Sequence, residues 1–320
     1  MVVAQNIQAS WIVNSYDLIF NPGEGGEVSE TSRKVTFGKS YENSYNETNN
    51  TTSVKDLPIP TREGCIFLGW YTSKEGGNAV NRYTIMSEEG AEIYAHWLET
   101  WTVKTTITKL NAEYNDRNDE GTPENPYLIS NAEELAFFAK QLQNKIGDYY
   151  KYSYKQTSVI DLSRDSGNKQ VDYVWQAIGF SSTTAFCGTY DGQGFAILNL
   201  KTTDITNAST GLLRDYQGLF GYTTNATLKN INIINGKVYG ENFVGAVAGF
   251  MNGGSISNCR NGAEVEGKEN CGLVGSANCV KVTTCYNYGT INGTKYVGGV
   301  VGYAQSGGEK AFTHIENCYS

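Results

Sequence analysis

The stretch ENFVGAVAGFMNGGSISNCRNG, from Glu241 to Gly262, alternates small apolar side chains with glycine. Glycine weakens ordinary helices and strands, because it adds backbone freedom and contributes no side chain to packing. Related glycine motifs recur along the chain and close at Gly221, Gly249, Gly275 and Gly302, in steps of 28, 26 and 27 residues. A nearly constant period of this length indicates a solenoid, in which each repeat forms one winding.

The length of the repeat narrows the kind of solenoid. Three short strands and three turns consume about 25 to 28 residues, and no segment inside the repeat has a helical period of apolar residues. We therefore predict a mainly β fold whose largest part is a right-handed parallel β-helix with three sides. Successive windings of such a fold lie about 4.8 Å apart, so equivalent residues form columns. We expect the glycine columns where a corner needs positive φ or no side chain.

Cysteines occupy one further column of the repeat. Cys259, Cys285 and Cys318 each follow an inward-facing isoleucine or valine by three residues. Stacked Cα atoms are close enough for a disulfide, but side chains in parallel register have poor torsions for one. We predict a reduced, buried ladder of small apolar side chains. No Cys-x-x-Cys pair is present, so zinc binding by cysteine is not expected.

One segment has the pattern of an amphipathic helix. It reads SNAEELAFFAKQLQNKIG, and Ser130 and Glu133 are placed for a capping box while Gly147 ends the pattern. We predict a helix over about residues 131–146 that covers the first winding of the solenoid, because an open end would invite other strands to add. Its apolar stripe is Leu135, Phe138, Ala139, Leu142 and Ile146.

The N-terminal third contains a repeat of another kind. The strand patterns Ile7–Trp11 (IQASW) and Ile93–Trp97 (IYAHW) lie 86 residues apart. The elements between them resemble the Listeria–Bacteroides repeat, also called the internalin B-repeat, a small β-grasp-like module of bacterial surface proteins. Cys65 stands where an aromatic residue is usual, and Glu42–Asp56 has the composition of an inserted polar loop. The residues that carry the resemblance are Phe20, Gly25, Gly26, Leu57, Pro58, Pro60, Thr61, Gly64, Phe67, Gly69, Trp70, Tyr71, Gly76, Gly77, Tyr94, Ala95 and Trp97. Core packing is the expected role of Trp70 and Trp97.

The C-terminal two-thirds resembles a second family. Gly121–Leu142, Trp175–Gly179 and Phe186–Leu200, with the four glycine motifs, are similar to GLUG-repeat proteins. Those are parallel β-helical regions of bacterial surface adhesins, also found as accessory segments in IgA-peptidase-like proteins. The last winding departs from the pattern, because 33 residues separate Cys285 from Cys318 and a looped insertion is expected there.

These patterns divide the chain into four parts. Residues 1–13 are expected to end a preceding repeat, 14–98 to form the β-grasp-like repeat, 99–120 to be a linker, and 121–320 to form a β-helix truncated at its C-terminus, so that the chain is an excerpt of a longer protein. Within the linker, Asp116, Asn118 and Glu120 resemble the first half of a calcium loop. The acid that would complete that loop is absent, because position 127 is tyrosine, and a solvated hinge is the favoured interpretation.

Composition excludes several classes of function. The formal net charge of −8 and the isoelectric point near 5.0 argue against nucleic-acid binding, since phosphates require a basic surface. No apolar run is long enough for a membrane helix.

Catalytic patterns are also scarce. The only histidines, His96 and His314, have no partners arranged for nucleophilic catalysis, and the zinc motif His-Glu-x-x-His is absent. We predict no catalytic residue and no cofactor. Asp161, Asp172 and Asp191 keep one alternative open, because some β-helices cleave polysaccharides with paired acids.

Tyrosines are the candidates for ligand binding. Exposed aromatic rings on a β-helix face can stack on sugar rings, although packing at the rim and cap of the solenoid would also account for them. The candidates are Tyr149, Tyr150, Tyr152, Tyr154, Tyr286 and Tyr288.

The combined prediction is a non-enzymatic, extracellular segment of a bacterial cell-surface protein. It would act as a stalk, an adhesin or both, and contact a host or biofilm glycan or protein. A polysaccharide-active β-helix and a pure spacer remain as alternatives.

Overall fold

The computed structural model describes residues 13–202, 215–308 and 311–320. The described residues fall into two compact units, which meet in sequence between Trp97 and Leu98. Both are built mainly of β-strands. Residues 1–12, most of the predicted end of a preceding repeat, lie outside the described residues.

The N-terminal unit contains one mixed five-stranded sheet in the order β3-β1-β9-β7-β8 and two short antiparallel pairs, β2-β6 and β4-β5. Its strands are Ser15–Asn21 (β1), Gly26–Glu27 (β2), Ser32–Thr36 (β3), Asn43–Asn46 (β4), Thr51–Val54 (β5), Thr61–Arg62 (β6), Cys65–Tyr71 (β7), Ala79–Val80 (β8) and Ala91–Glu99 (β9). The expected polar insertion at Glu42–Asp56 forms the β4–β5 hairpin.

Two tryptophans tie loops to this sheet. Trp70 is fully buried, and its indole N–H donates to the carbonyl oxygen of Pro58 at 2.9 Å. Trp97 is partly buried and donates in the same way to the carbonyl oxygen of Pro22 at 2.9 Å. Each ring therefore fills core space and satisfies its one polar atom.

The second unit contains the windings. Its helices are Trp101–Lys104 (α1) and Ala132–Gln143 (α2), with 3₁₀-helices at Tyr149–Lys151 and Ser182–Thr184. Its strands are Tyr127–Ile129 (β10), Ser153–Gln156 (β11), Ile160–Asp161 (β12), Thr189–Asp191 (β13), Ala196–Leu198 (β14), Leu200–Lys201 (β15), Phe220–Thr224 (β16), Thr227–Lys229 (β17), Asn232–Ile233 (β18), Gly236–Tyr239 (β19), Asn242–Asn252 (β20), Ser255–Ser257 (β21), Arg260–Asn261 (β22), Glu264–Glu266 (β23), Glu269–Asn278 (β24), Lys281–Thr283 (β25), Tyr286–Asn287 (β26), Ile291–Asn292 (β27), Lys295–Val297 (β28), Val301–Gly308 (β29), Ala311–Phe312 (β30) and His314–Glu316 (β31).

Strands from successive windings pair in parallel and build four sheets, an arrangement like that of a β-helix. The sheets are β10-β11-β13-β17-β21-β25-β31, β12-β14-β18-β22-β26, β15-β19-β23-β27 and β16-β20-β24-β29. The prediction of three strands per winding is corrected to four. The physical reason is a column of non-glycine residues with left-handed backbone, which bends the chain between the first two of these sheets; its members are Asn230, Asn258, Thr284 and Asn317, with φ from 50° to 55°.

The glycine columns are explained by close approach of the backbone. A Cβ atom on Gly221 would lie 2.4 Å from the carbonyl oxygen of Gly179, one on Gly249 2.9 Å from that of Gly221, and one on Gly275 2.6 Å from that of Gly249. Gly302 repeats the relation to Gly275 at 2.7 Å. Positive φ is not involved, because none of the four closing glycines lies in the left-handed region. Each winding therefore rests against the next at a point where no side chain fits.

The cysteine column lies beside the apolar core. Cys259 and Cys285 are fully buried, and their thiols donate to the carbonyl oxygens of Ser257 and Thr283, each at 3.3 Å. Cys318 is half-buried and accepts a hydrogen bond from the backbone N–H of Cys285 at 3.3 Å. None of the seven cysteines, all of which lie in the described ranges, forms a disulfide in this structure.

Helix α2 begins one residue later than predicted. Asn131, and not Ser130, is the N-cap, and its side-chain oxygen accepts from the backbone N–H of Glu134 at 2.9 Å. Ser130 donates through its backbone N–H and its hydroxyl to the Glu134 carboxylate, at 2.6 and 2.8 Å. One half of a capping box is therefore present, shifted by one residue, while the Glu134 carboxylate binds Ser130, the residue before the N-cap.

The end of the helix also differs from the prediction. Residues 135, 138, 139 and 142 of the apolar stripe are buried. Helix α2 ends at Gln143, however, and Ile146 is 48% exposed. The left-handed backbone of Lys145, with φ of 53°, turns the chain away before Ile146 can join the stripe.

Part of the predicted linker belongs to the core of the second unit. Trp101 is fully buried, and its indole N–H donates to the carbonyl oxygen of Leu162 at 2.8 Å. Leu110 and Ala112 are buried in the same core. The linker prediction for residues 99–120 therefore does not hold for this part, because a tryptophan and its apolar neighbours pack at the α2 end of the windings.

We expect Gly249→Ala to lower the free energy of unfolding of the second unit by about 1–3 kcal/mol or more, because the new methyl group would press on fixed backbone oxygens. Hydrogen exchange followed by mass spectrometry measures the change, with peptides from residues 13–97 as an internal reference. Gly167→Ala, the same substitution in an exposed turn, is the control and should change little. Equal protection in both variants would contradict the close-approach explanation.

Candidate functional site

The first group of candidate tyrosines divides between core and surface. Tyr154 is fully buried, its ring stacks on Phe138 with centroids 3.8 Å apart, and its hydroxyl donates to the carbonyl oxygen of Tyr149 at 2.6 Å. Burial raises the pKa of Tyr154 well above its usual value. The prediction that Tyr154 binds a ligand is therefore wrong, because the residue is a core side chain of β11.

Tyr149 and Tyr152 are half-buried in an aromatic cluster around Tyr127, with ring centroids 5.8 and 5.5 Å from that ring. Their edges pack on one another, so little ring surface is left for a ligand. Only Tyr150 of this group is well exposed, at 42%.

Tyr150 lines a cavity of about 410 Å³, which we call the helix-end cavity. The C-terminal end of α2 and the turn that follows it form one wall, and the segment around the 3₁₀-helix Ser182–Thr184 forms the other. The lining residues are Gln141, Leu142, Lys145, Ile146, Gly147, Tyr150, Ser182, Thr183, Thr184, Ala185, Cys187 and Thr224.

Local backbone geometry builds both walls. Lys145 and Gly147 have positive φ, of 53° and 56°, and reverse the chain after α2 so that Ile146 and Tyr150 face the cavity. On the other wall the hydroxyl of Thr184 accepts from the backbone N–H of Phe180 at 3.2 Å, which closes the turn.

The polar groups of the cavity are largely unengaged. Gln141 is 8% exposed, and its side-chain amide makes no hydrogen bond within the described parts of the chain. The amide lines the cavity, so a ligand there could exchange hydrogen bonds with it. Lys145 is exposed and forms no ion pair with any described residue. The Thr183 hydroxyl shares a hydrogen bond with Ser181 Oγ at 3.1 Å.

Cys187 also lines the cavity, but its thiol is not activated as a nucleophile. Burial raises the pKa of its thiol above the usual value and outweighs the opposing hydrogen bond from the backbone of Thr224. The reactive form of cysteine is the thiolate, so this thiol stays protonated at neutral pH.

The lining combines two kinds of surface in one space. Leu142, Ile146, Ala185 and the Tyr150 ring are apolar, whereas the Gln141 amide and the threonine and serine hydroxyls can donate and accept. The volume of the helix-end cavity is within the range of about 300–1,000 Å³ typical of small-ligand sites. Sugars present the matching combination of C–H faces and hydroxyl groups.

The second group of tyrosines lies apart from this cavity. Tyr286 is covered on both faces, by Tyr319 in a parallel stack at 5.1 Å and by the guanidinium group of Arg260, 5.1 Å from the ring centroid. Tyr288 is exposed and lies over Gly262, where a Cβ would come within 2.3 Å of the ring. Neither residue lines the helix-end cavity.

Two of the three candidate acids, Asp161 and Asp191, accept hydrogen bonds that stabilise local turns. The Asp161 carboxylate accepts from the backbone N–H and hydroxyl of Ser163, at 2.9 and 2.7 Å, and from the Asn199 amide at 2.8 Å. Burial by itself would raise its pKa, but these hydrogen bonds outweigh burial and the pKa is lowered. A general acid in glycoside hydrolysis needs the opposite shift.

Asp191 has the same character. Its carboxylate accepts from the Gln193 backbone N–H at 3.0 Å and the Asn230 amide at 2.8 Å, and pairs with Lys229 at 3.0 Å. Burial again acts to raise the pKa and is outweighed, so the pKa is lowered. Asp172 is different, since it lines with Asp161 a polar cavity of about 500 Å³.

The calcium-loop candidates are engaged with protein groups or exposed. Glu120 accepts from Lys109 at 2.9 Å, and Asp116 and Asn118 are exposed. Within the described ranges, no group of three or more histidine, cysteine, aspartate or glutamate side chains is placed to hold a metal ion.

The two histidines are each held locally. His96 stacks on Tyr71 with centroids 3.9 Å apart, and its Nε2 lies 2.9 Å from the carbonyl oxygen of Ser73. His314 lies 3.4 Å from the Glu316 carboxylate on an exposed strand.

Most of the cavity lining was missed by sequence reasoning. Gln141 is a polar residue outside the apolar stripe of the helix, and Ser182–Thr184 has the composition of any loop. A usable signal was Ile146, an apolar residue that continues the helical stripe past the point where the chain turns.

Comparison with known proteins identifies one domain. Residues 16–96 match the family model of the Listeria–Bacteroides repeat domain. This match confirms the resemblance drawn from the sequence for the N-terminal third, while the GLUG resemblance stays a prediction.

Parts of two other proteins are similar to parts of the chain. Halomucin of Haloquadratum walsbyi is 34% identical over 159 residues, which cover 49% of this chain and 2% of halomucin. A solved structure, described as a "putative immunoglobulin A1 protease" from Bacteroides ovatus, aligns with a TM-score of 0.41 and 18% identity, covering 62% of this chain and 76% of that one. In the described residues, no helix is both long and apolar enough to cross a membrane.

The lowered pKa of Asp191 predicts how stability depends on pH. A carboxyl group whose pKa is lower in the folded state stabilises fully above its unfolded pKa of about 3.9, and this contribution is lost as pH falls through the folded value. We expect Asp191→Asn to lower the urea midpoint of the second unit at pH 7 and to reduce its decline below about pH 4. Urea titrations between about pH 3 and pH 7 measure both effects, and parallel curves for the two proteins would contradict the assignment.

Proposed function

We propose that the second unit binds carbohydrate in the helix-end cavity and serves as a non-enzymatic adhesive segment of an extracellular surface protein. The observation that carries the proposal is the lining of this cavity. An exposed tyrosine ring, apolar side chains and the Gln141 amide, which makes no hydrogen bond with a described residue, face one space of about 410 Å³. A sugar would stack its C–H face on Tyr150 and exchange hydrogen bonds with Gln141.

The extracellular location rests on the comparisons. The Listeria–Bacteroides repeat at residues 16–96 and the similarity to halomucin both favour a surface protein. We extend this to a bacterial cell-surface protein that contacts a host or biofilm glycan. Because the chain spans about 2% of halomucin, the activity of the whole protein is part of the proposal.

The architecture supports a role as a stalk as well. We propose that residues 121–320 form a right-handed parallel β-helix of GLUG type, with α2 as the cap of its first winding. The register of parallel strands and the glycine columns support this proposal. Each winding adds to the length of the unit, so binding surfaces could be held away from the cell.

A second candidate function has one observation in its favour. Asp161 and Asp172 line the same polar cavity of about 500 Å³, together with Arg164 and Lys201. A polysaccharide-cleaving enzyme needs paired acids in such a cleft. The lowered pKa of Asp161 makes it unsuited to donate a proton, so binding is the function that we prefer.

We expect the purified protein to be retained on immobilised mucins, matrix glycoproteins or polysaccharides. Tyr150→Ala and Gln141→Leu should each weaken retention about tenfold, because each removes roughly 1–1.5 kcal/mol of stacking or hydrogen bonding. Leucine should preserve the helix, so Gln141→Leu should be about as stable as the wild type. Retention curves and thermal melts measure the two effects.

Tyr83→Ala is the matched control, because Tyr83 is an exposed tyrosine of the N-terminal unit. Unchanged retention in both cavity variants would refute the cavity as the site. Free sugar released into the same wells would favour the enzyme alternative and direct attention to Asp161 and Asp172. No retention on any surface would favour a spacer.

A further inference from the structure

Two columns of mostly aromatic side chains run along the sheet formed by β16, β20, β24 and β29. One column precedes the glycine motif of each winding and the other follows it, and we call them the outer columns. The first contains Tyr216, Phe243, Asn270 and Tyr296, and the second contains Tyr222, Phe250, Ser276 and Tyr303.

The rings of adjacent windings stack. Tyr216 and Phe243 are parallel to within 5°, with centroids 4.9 Å apart, and Tyr222 and Phe250 are also 4.9 Å apart. Rings of the same winding pack on each other too, as Phe243 does on Phe250 at 5.5 Å. The outer columns are therefore a continuous aromatic surface over the first two of these windings.

The third winding interrupts this surface. Asn270 and Ser276 replace aromatic residues in both columns at once, and the fourth winding resumes with Tyr296 and Tyr303, whose centroids are 4.7 Å apart. Phe243 and Tyr296 are two windings apart, or about 9.6 Å. One ring inserted midway would lie about 4.8 Å from each, a normal stacking distance.

The aromatic residues of the first column are held in an unfavourable backbone conformation. Tyr216, Phe243 and Tyr296 have φ of 58°, 59° and 56°, a region that bulky residues rarely adopt. Strained backbone of this kind clusters at functional sites, so it favours a function for this surface.

The floor of the gap contains an unpartnered polar group. Asn270 is 6% exposed, its amide makes no hydrogen bond with any described residue, and its Oδ1 is buried without a partner. The neighbouring hydroxyl of Ser276 accepts from the Gln305 amide at 3.3 Å. The gap thus pairs two aromatic walls with an amide that can both donate and accept.

We propose that this gap binds one pyranose ring of a neutral glycan. The C–H faces of the sugar would lie against the rings of Phe243 and Tyr296, and a sugar hydroxyl would pair with the Asn270 amide. A ligand with an aromatic ring and no polar group would fill the same gap but leave the Asn270 amide unpartnered. Lys295 pairs with Glu269 at 3.7 Å, and its Nζ lies 4.6 Å from the centroid of the Tyr296 ring. The charge at this wall is therefore already paired, which favours an uncharged sugar. The inference shares its ligand class with the proposed function but concerns a different surface.

Asn270→Phe tests the gap directly. Phenylalanine already adopts the same backbone conformation one winding earlier, at Phe243, so the variant should fold and complete the aromatic column. The new ring would occupy the space of the sugar. Saturation-transfer-difference NMR with methyl glycosides of glucose, galactose, mannose and N-acetylglucosamine gives the readout. We expect the signals of the ring protons to fall at least fivefold in this variant, with no loss of thermal stability.

Two controls separate the possible results. Asn258→Phe makes the same substitution at an exposed residue with left-handed backbone, φ of 50°, in another column and should leave the signals unchanged. Gln141→Leu removes the polar group of the helix-end cavity and should leave the gap signals in place. Signals that persist in Asn270→Phe, or no signals from the wild type, would overturn the inference. Loss in Asn270→Phe with no effect of Gln141→Leu on glycan retention would support the gap and refute the cavity.

Discussion

The second unit depends on the contact between the backbones of successive windings at the glycine columns. At Gly221, Gly249, Gly275 and Gly302 the carbonyl oxygen of the winding before leaves no room for a methyl group. That contact fixes the register, since a strand that slipped by one residue would bring a side chain against it. The register in turn places the apolar ladder of Leu228, Ile256 and Val282 in the core and the outer columns on the surface.

The period of the glycine motifs was enough to predict parallel, stacked strands, because a spacing constraint that recurs in every winding is visible in one sequence. It was not enough to predict four strands per winding. Sequence reasoning assigned the sharp corners to glycine, whereas Asn230, Asn258, Thr284 and Asn317 make one of them with left-handed backbone. Asparagine tolerates that conformation because its short side chain hydrogen-bonds locally, and Asn258 donates to Asn230 at 2.8 Å across the windings.

The candidate sites were harder to predict than the fold, because they arise where the repeat is broken. The helix-end cavity depends on a turn after α2 that moves Ile146 out of the core, and on Gln141, whose burial no local pattern reveals. Tyr152 and Tyr154 are two residues apart, a spacing that would put both on one face of a strand. The strand β11 begins at Ser153, however, and only Tyr154 is buried in the core. The gap at Asn270 could have been found by aligning the four motifs, since only one of them lacks both flanking aromatic residues.

The close stacking of windings has a consequence for how such a protein changes over time. Each winding contacts only its neighbours, so the stability of the unit is approximately a sum of nearest-neighbour contributions. Gain or loss of one whole winding of about 27 residues would alter the length of the stack by about 4.8 Å and leave the chemistry of the others intact. The length of the stack and its recognition of ligands can therefore vary separately. The number of windings sets the length, and substitutions within a single winding change the recognition.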